Sequence, residues 1–79
     1  MSIPRNLTVS VGHDVAEGIW HIVASEVPGL NAEAETLDEL VAVIADLAPE
    51  LIAANLPGVS ANTPLNIQHT VNSKQLRTA

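Results

Sequence analysis

The first part of the chain alternates apolar with small or polar residues. Between residues 7 and 12 the apolar side chains take the odd positions, which predicts a half-buried strand from about residue 6 to residue 14. Residues 19–25 are more evenly apolar and predict a second strand. Because only four residues separate Asp14 from Ile19, we expect an antiparallel hairpin in which these two residues pair and His13 lies opposite Trp20.

The segment after the hairpin contains a corner and a helix start. In EVPGL, Pro28 fixes φ and lacks an amide donor, and Gly29 takes the turn, so the second strand ends there. A short third strand is expected at about residues 31–34. The quartet TLDE then predicts a capped helix, with Thr36 accepting from the amide of Glu39 and the Glu39 side chain reaching back to Thr36.

Apolar residues recur every three or four positions from Leu37 to Ile52, which predicts an amphipathic helix to about Asn55. Pro49 lies inside it and should kink the helix or break it into two. The stretch NLPGVSANTP reads as a loop, and renewed alternation predicts a final strand over 65–71. We expect one domain over 1–79, with an ordered core at 6–72 and a flexible tail at 73–79.

The predicted order is strand, strand, strand, helix, strand, which defines a two-layer α+β fold of βββαβ type. The long crossover through the helix should place the last strand parallel to the first or to the third. One face of the sheet should pack on the helix. The other face should carry Thr8, Ser10, Asn66, Gln68 and Thr70.

Composition and charge restrict the function. A chain of 79 residues with one Trp and no Phe or Tyr builds a thin aliphatic core, which a dimer, a higher oligomer or a partner would help to cover. Nine carboxylates against three basic residues give a net charge of −6, the wrong sign for binding nucleic acid or anionic lipid and the right sign for a basic protein. No apolar run is long enough for a membrane span or a signal peptide, so we expect a cytoplasmic protein.

The three histidines invite a metal or general-base interpretation. The predicted register turns His21 away from His13, although a slip of one residue would bring these two opposite each other. His69 could approach His13 at the rim of the core, where imidazoles packed on Trp20 are the simpler interpretation. The sequence has no Cys and shows no further zinc ligands, so we expect no metal and no cofactor.

The carboxylates admit a structural explanation as well. Asp38 and Glu39 fall in the first helical turn, where negative charge complements the helix dipole. Glu33 and Glu35 share a strand face, as a paired-carboxylate enzyme would require, but a solvated surface is the favoured interpretation. Neither a nucleophile motif nor a phosphate-binding loop is visible, and we therefore expect no catalytic residue.

The stretch HDVAEGIWHIVASEVPGLNAEAETLDELVAVI, residues 13–44, resembles the HicB-like antitoxin family and its short stand-alone relatives. The features that carry the resemblance are an acidic residue before a turn, an aromatic-led strand, a Pro-Gly-Leu corner, and a strand ending in Thr before a helix that opens with DEL. They fall at Asp14, Trp20, residues 26–30, Thr36 and residues 38–40. Most of them are turn and cap residues, so the resemblance concerns the fold more than activity.

The resemblance implies a partial RNase H-like fold and a role as a non-enzymatic antitoxin that masks a small basic mRNA-cleaving toxin of the HicA-like kind. Such antitoxins usually continue into a DNA-binding segment, and the 79 residues show no such pattern, so we expect no direct contact with nucleic acid. The alternatives are a homo-oligomeric scaffold without a toxin partner and a small hydrolase using His13 or His69. For partner binding we predict Asp14, Glu17 and Trp20, because an acidic hairpin beside a lone Trp suits a charged interface with an aromatic anchor.

Overall fold

The computed structural model describes residues 6–69. Within that range the elements are β1 (Leu7–Asp14), β2 (Ile19–Ser25), β3 (Glu33–Ala34), α1 (Leu37–Asn55) and β4 (Leu65–His69). The predicted βββαβ order and the mixed α+β class are confirmed. Positions 70 and 71 of the predicted last strand and the predicted tail at 73–79 lie outside the described residues.

The four strands form one sheet in the order β3-β2-β1-β4. The β1–β2 and β2–β3 pairs are antiparallel, whereas β4 lies parallel to β1. Of the two placements that the sequence left open for the last strand, the structure therefore has it beside the first. A chain that leaves β3 must cross β2 and β1 to reach this position, and α1 supplies the length of that crossover.

One face of the sheet and one face of α1 form the core. Leu40, Ile44, Ala48 and Ile52 of the helix are buried at the spacing of one helical face, and they pack with Val9, Val11, Val27 and Leu30. Thr36 caps the helix, since its Oγ1 accepts from the Glu39 amide at 3.0 Å. Among the described hydrogen bonds, the return contact from the Glu39 side chain to Thr36 is absent.

Pro49 does not divide the helix, which runs as one element from Leu37 to Asn55. The alternative of a break into two helices is therefore wrong. Proline removes one hydrogen bond and crowds the carbonyl of Ala45, but the buried residues Ile44, Ala48 and Ile52 hold the helix against the sheet on both sides of Pro49. Tertiary packing thus outweighs the local cost of the proline.

The hairpin has the predicted register at its turn, with Asp14 opposite Ile19 and His13 opposite Trp20. Further along, the register shifts between Ser10 and Val11, so the strands contain a bulge that the sequence did not predict. Val11 pairs with Ile22 and Ser10 with Ala24, which leaves Val23 without an opposite residue and 63% exposed. Ile22 still pairs in the register set by the turn, and the bulge shifts only the residues beyond Val23, so that Ser25 instead of Ala24 lies opposite the buried Val9.

The corner after β2 is fixed by side-chain hydrogen bonds. Glu26 extends the hairpin, because its amide donates to the Thr8 carbonyl at 2.9 Å and its Oε1 accepts from the Thr8 amide at 2.7 Å. The Ser25 hydroxyl accepts from the Val27 amide at 2.9 Å. Gly29 then turns the chain with φ of +80°, a left-handed conformation that favours glycine. This corner reverses the chain, so that β3 pairs antiparallel with β2.

Candidate interaction surface

The hairpin turn forms one tip of the molecule. Asp14 organises it, since its Oδ1 accepts from the Glu17 amide at 3.1 Å and its carbonyl accepts from the Gly18 amide at 2.8 Å. Gly18 closes the turn with φ of +68°. Val15, at the apex, is 77% exposed. Asp14 therefore has a structural role in the turn besides carrying charge at the surface.

Two carboxylates from one other segment of the chain join this tip. Glu33 pairs with His21 across β2 and β3, and Glu35 follows β3 directly. With Glu17, Gly18, Ile19 and Ala34 these two residues line an open groove of about 530 Å³. We call Asp14, Glu17, Glu33 and Glu35 the acidic end. All four side chains are exposed, and the first helical turn with Asp38 and Glu39 begins only a few residues further along.

Trp20 lies on the other face of the sheet from Asp14. Residues of a strand alternate between faces, and Trp20 pairs with His13 whereas Asp14 pairs with Ile19. Trp20 is half-buried and packs against the hydrophobic core on the helix side. Of the three residues predicted for partner binding, Asp14 and Glu17 lie at the acidic end. Trp20 lies on the opposite face of the sheet from Asp14, so the three residues do not form a single patch.

The rings of His13 and His69 flank Trp20. The His13 ring stacks on it with centroids 4.3 Å apart and planes only 4° from parallel, and the His69 ring meets it edge-on at 4.8 Å and 72°. Both geometries are favourable for aromatic pairs. The His13 contact arises because His13 lies directly opposite Trp20 in the β1–β2 pair. The His69 contact arises because the parallel strand β4 places His69 beside Val11 on the helix face. His21 lies opposite Gly12 on the open face.

Sequence reasoning missed the grouping of Glu33 and Glu35 with Glu17. Their shared strand face was visible, but the pairing of β3 with β2 was needed to put them beside the hairpin turn. Within residues 6–69, no group of three or more His, Asp or Glu side chains is arranged to hold a metal ion. Over the same range the structure has no helix that is both long and apolar enough to cross a membrane.

Fold and surface together define a small two-layer α+β domain with one acidic, solvent-exposed end. The chain belongs to the DUF1902 family, a domain of unknown function, whose family pattern matches residues 6–78. It is similar to the crystal structure of a hypothetical protein from the extremely thermophilic bacterium Thermus thermophilus. That similarity has a TM-score of 0.75 and 35% sequence identity, and it covers 86% of this chain and 96% of the other. No curated protein matches the chain.

Proposed function

We propose that this protein is a non-enzymatic, antitoxin-like binding domain that masks a small basic mRNA-cleaving toxin. The observation that carries the proposal is the acidic end, with its groove and with Val15 at its tip. The resemblance of residues 13–44 to the HicB-like family suggests this role, whereas the turn, corner and cap residues that carry it concern the fold. Family membership and the similarity to the Thermus thermophilus structure support the fold and carry no information on the role. The role is therefore inferred from the surface.

The distribution of charge favours a basic partner. All nine carboxylates of the chain lie within residues 6–69 and all nine are exposed, whereas the basic residues Arg5, Lys74 and Arg77 lie outside that range. The described domain therefore carries negative charge that no Lys or Arg of the same segment neutralises. Such a surface attracts cationic proteins over a distance and repels phosphate backbones.

The acidic end also offers an apolar contact. Val15 is 77% exposed and stands beside Asp14 and Glu17, so a partner that covered the tip would remove apolar surface from water while pairing charges around it. Interfaces commonly combine a small apolar centre with a polar rim. The charges would steer association, and the desolvated apolar contact would slow dissociation.

A hydrolase built on His13 or His69 is the weaker hypothesis. Both rings lie against Trp20, and the open groove lies among Glu17, Glu33 and Glu35 instead. A general base must reach the proton that it removes. RNA cleavage by the purified domain that disappears in His13→Ala, with far-ultraviolet circular dichroism unchanged, would favour the hydrolase and contradict a non-enzymatic role.

Co-purification from the native cell tests the proposal first. We expect a small basic protein that cleaves mRNA alone and loses that activity when the domain is added in equimolar amount. A bound partner that keeps its full ribonuclease activity would refute masking. The alternative of a homo-oligomeric scaffold predicts instead that the domain purifies only with copies of itself.

Matched charge variants then test the surface. Glu33→Gln with Glu35→Gln changes the acidic end, whereas Asp46→Asn with Glu50→Gln removes the same charge from exposed positions of α1. If the acidic end contacts the partner, the first pair should raise Kd by roughly two- to thirtyfold at low salt, as expected for two exposed ion pairs. The control pair should cause only the smaller loss from reduced steering, and both effects should fade near 1 M salt, where the Debye length is about 3 Å. Equal effects of the two pairs would remove the acidic end from the interface.

A further inference from the structure

The two edges of the sheet differ in how well they are protected. Soluble proteins discourage pairing at sheet edges with short strands, charged side chains, proline or bulges. The edge strand β3 follows this rule, because it has two residues, Glu33 and Ala34, with Glu35 directly after it. The other edge strand, β4, has five residues of sequence LNIQH, without a charged residue, proline or register shift against β1.

The hydrogen-bond pattern shows which backbone groups of β4 face outward. The Leu7 amide donates to the Pro64 carbonyl at 3.0 Å, and Leu7 pairs with Leu65 in the parallel register. Since alternate residues of a strand face the same neighbour, Asn66 and Gln68 direct their amide and carbonyl groups toward β1 as Pro64 does. The corresponding groups of Leu65, Ile67 and His69 therefore point away from β1, at the edge where the sheet of residues 6–69 ends.

We propose that β4 pairs with β4 of a second copy of this chain, antiparallel across a twofold axis at Ile67. In this register Leu65 of one copy lies opposite His69 of the other, and both are residues with outward-facing backbone groups. Asn66 then lies opposite Gln68 on the open face, where two neutral amides can hydrogen-bond. Ile67 faces its own counterpart on the helix side, so the strand is self-complementary in backbone and side chains.

Electrostatics favours a second copy at this edge. Each chain has a net charge of −6, so two copies must approach where carboxylates are absent. β4 contains none, and the sheet order places it three strand positions from β3 at the acidic end, roughly 14 Å away at the usual strand spacing. Pairing through β4 joins the two sheets and leaves both acidic ends exposed. The inference is therefore independent of the proposed toxin binding.

A matched pair of substitutions at His69 tests the pairing. His69→Pro removes an outward-facing amide that makes no bond to β1, whereas His69→Ala removes the same side chain and keeps that amide. We expect the full-length protein and His69→Ala to be dimers by sedimentation velocity at micromolar concentration. His69→Pro should raise the dimer Kd on the order of tenfold to a hundredfold, from one amide bond lost on each side of the axis.

A second pair tests the register and does not depend on proline being tolerated. Asn66→Lys with Gln68→Lys places like charges opposite each other across the axis and should dissociate the dimer. Asn66→Lys with Gln68→Glu places opposite charges there and should preserve it. A wild-type monomer at submillimolar concentration, including one that pairs only with a strand of another protein, would overturn the inference. So would a dimer that is equally stable in both Asn66/Gln68 variants.

Discussion

Trp20 offers a direct test of whether a half-buried aromatic residue serves stability or binding. Complete removal of a buried Trp side chain costs about 3–5 kcal/mol. Trp20 is half-buried, so the burial component of Trp20→Ala should be about 2 kcal/mol. The contacts with His13 and His69 add aromatic pairing, at the lower end of about 0.5–1.5 kcal/mol each because both histidines are exposed.

We therefore expect Trp20→Ala to lower the free energy of unfolding by about 2–3 kcal/mol and to leave the domain folded, since small domains have about 5 kcal/mol or more. Urea unfolding followed by far-ultraviolet circular dichroism measures this, because the variant has no Trp fluorescence. A double-mutant cycle of Trp20→Leu with His13→Ala isolates the stacked pair, and it should return a coupling of about 0.5 kcal/mol.

A loss below about 0.5 kcal/mol in Trp20→Ala would refute the packing argument, and a zero coupling would refute the stacking argument. The folded variant also separates two roles. If Trp20 anchors a partner, its removal should raise the off-rate at every salt concentration. Unchanged binding kinetics in a folded Trp20→Ala variant would show that Trp20 stabilises the hairpin and lies outside the interface.

Two further variants test the helix. Thr36→Ala removes the hydroxyl that accepts from the Glu39 amide and should cost about 1 kcal/mol in chemical denaturation, whereas Thr36→Ser should cost little; equal losses would show that the hydroxyl bond does not matter. Pro49→Ala restores an interior amide and should stabilise the domain by about 1 kcal/mol or more, less than the full propensity difference because the half-buried ring loses contacts. A lower denaturation midpoint for Pro49→Ala would mean that ring packing outweighs the restored hydrogen bond.

Local chemistry in the sequence was sufficient for the elements and their order. Alternation at residues 7–12, the Thr36 bond of the TLDE cap and the Pro-Gly corner each depend on neighbours within a few positions, and each appears where predicted. The short hairpin turn likewise fixed the pairing of His13 with Trp20. The bulge opposite Ser10 and Val11 was missed because β2 is apolar at consecutive positions, which leaves its register undefined by pattern alone.

The candidate site was predicted only in part. Asp14 and Glu17 were predicted to bind a partner because they flank a recognisable turn, and Trp20 because it is the chain's only Trp; their role in binding stays a prediction. The three residues do not share one surface, because Trp20 lies on the face of the sheet opposite Asp14 in the hairpin register. Glu33 and Glu35 come beside Glu17 through pairing between strands that are distant in sequence, which local spacing does not encode.

The sequence by itself determined which segments are strands and which is the helix, because hydrophobic period, turn residues and caps act over a few positions. It also determined the negative charge and confined every carboxylate to residues 6–69. Only the tertiary structure decided that β4 lies beside β1, that the helix continues through Pro49, and that two edges of one sheet differ in protection. Those outcomes depend on burial and backbone pairing between segments that are distant in sequence, so no single stretch of the chain determines them.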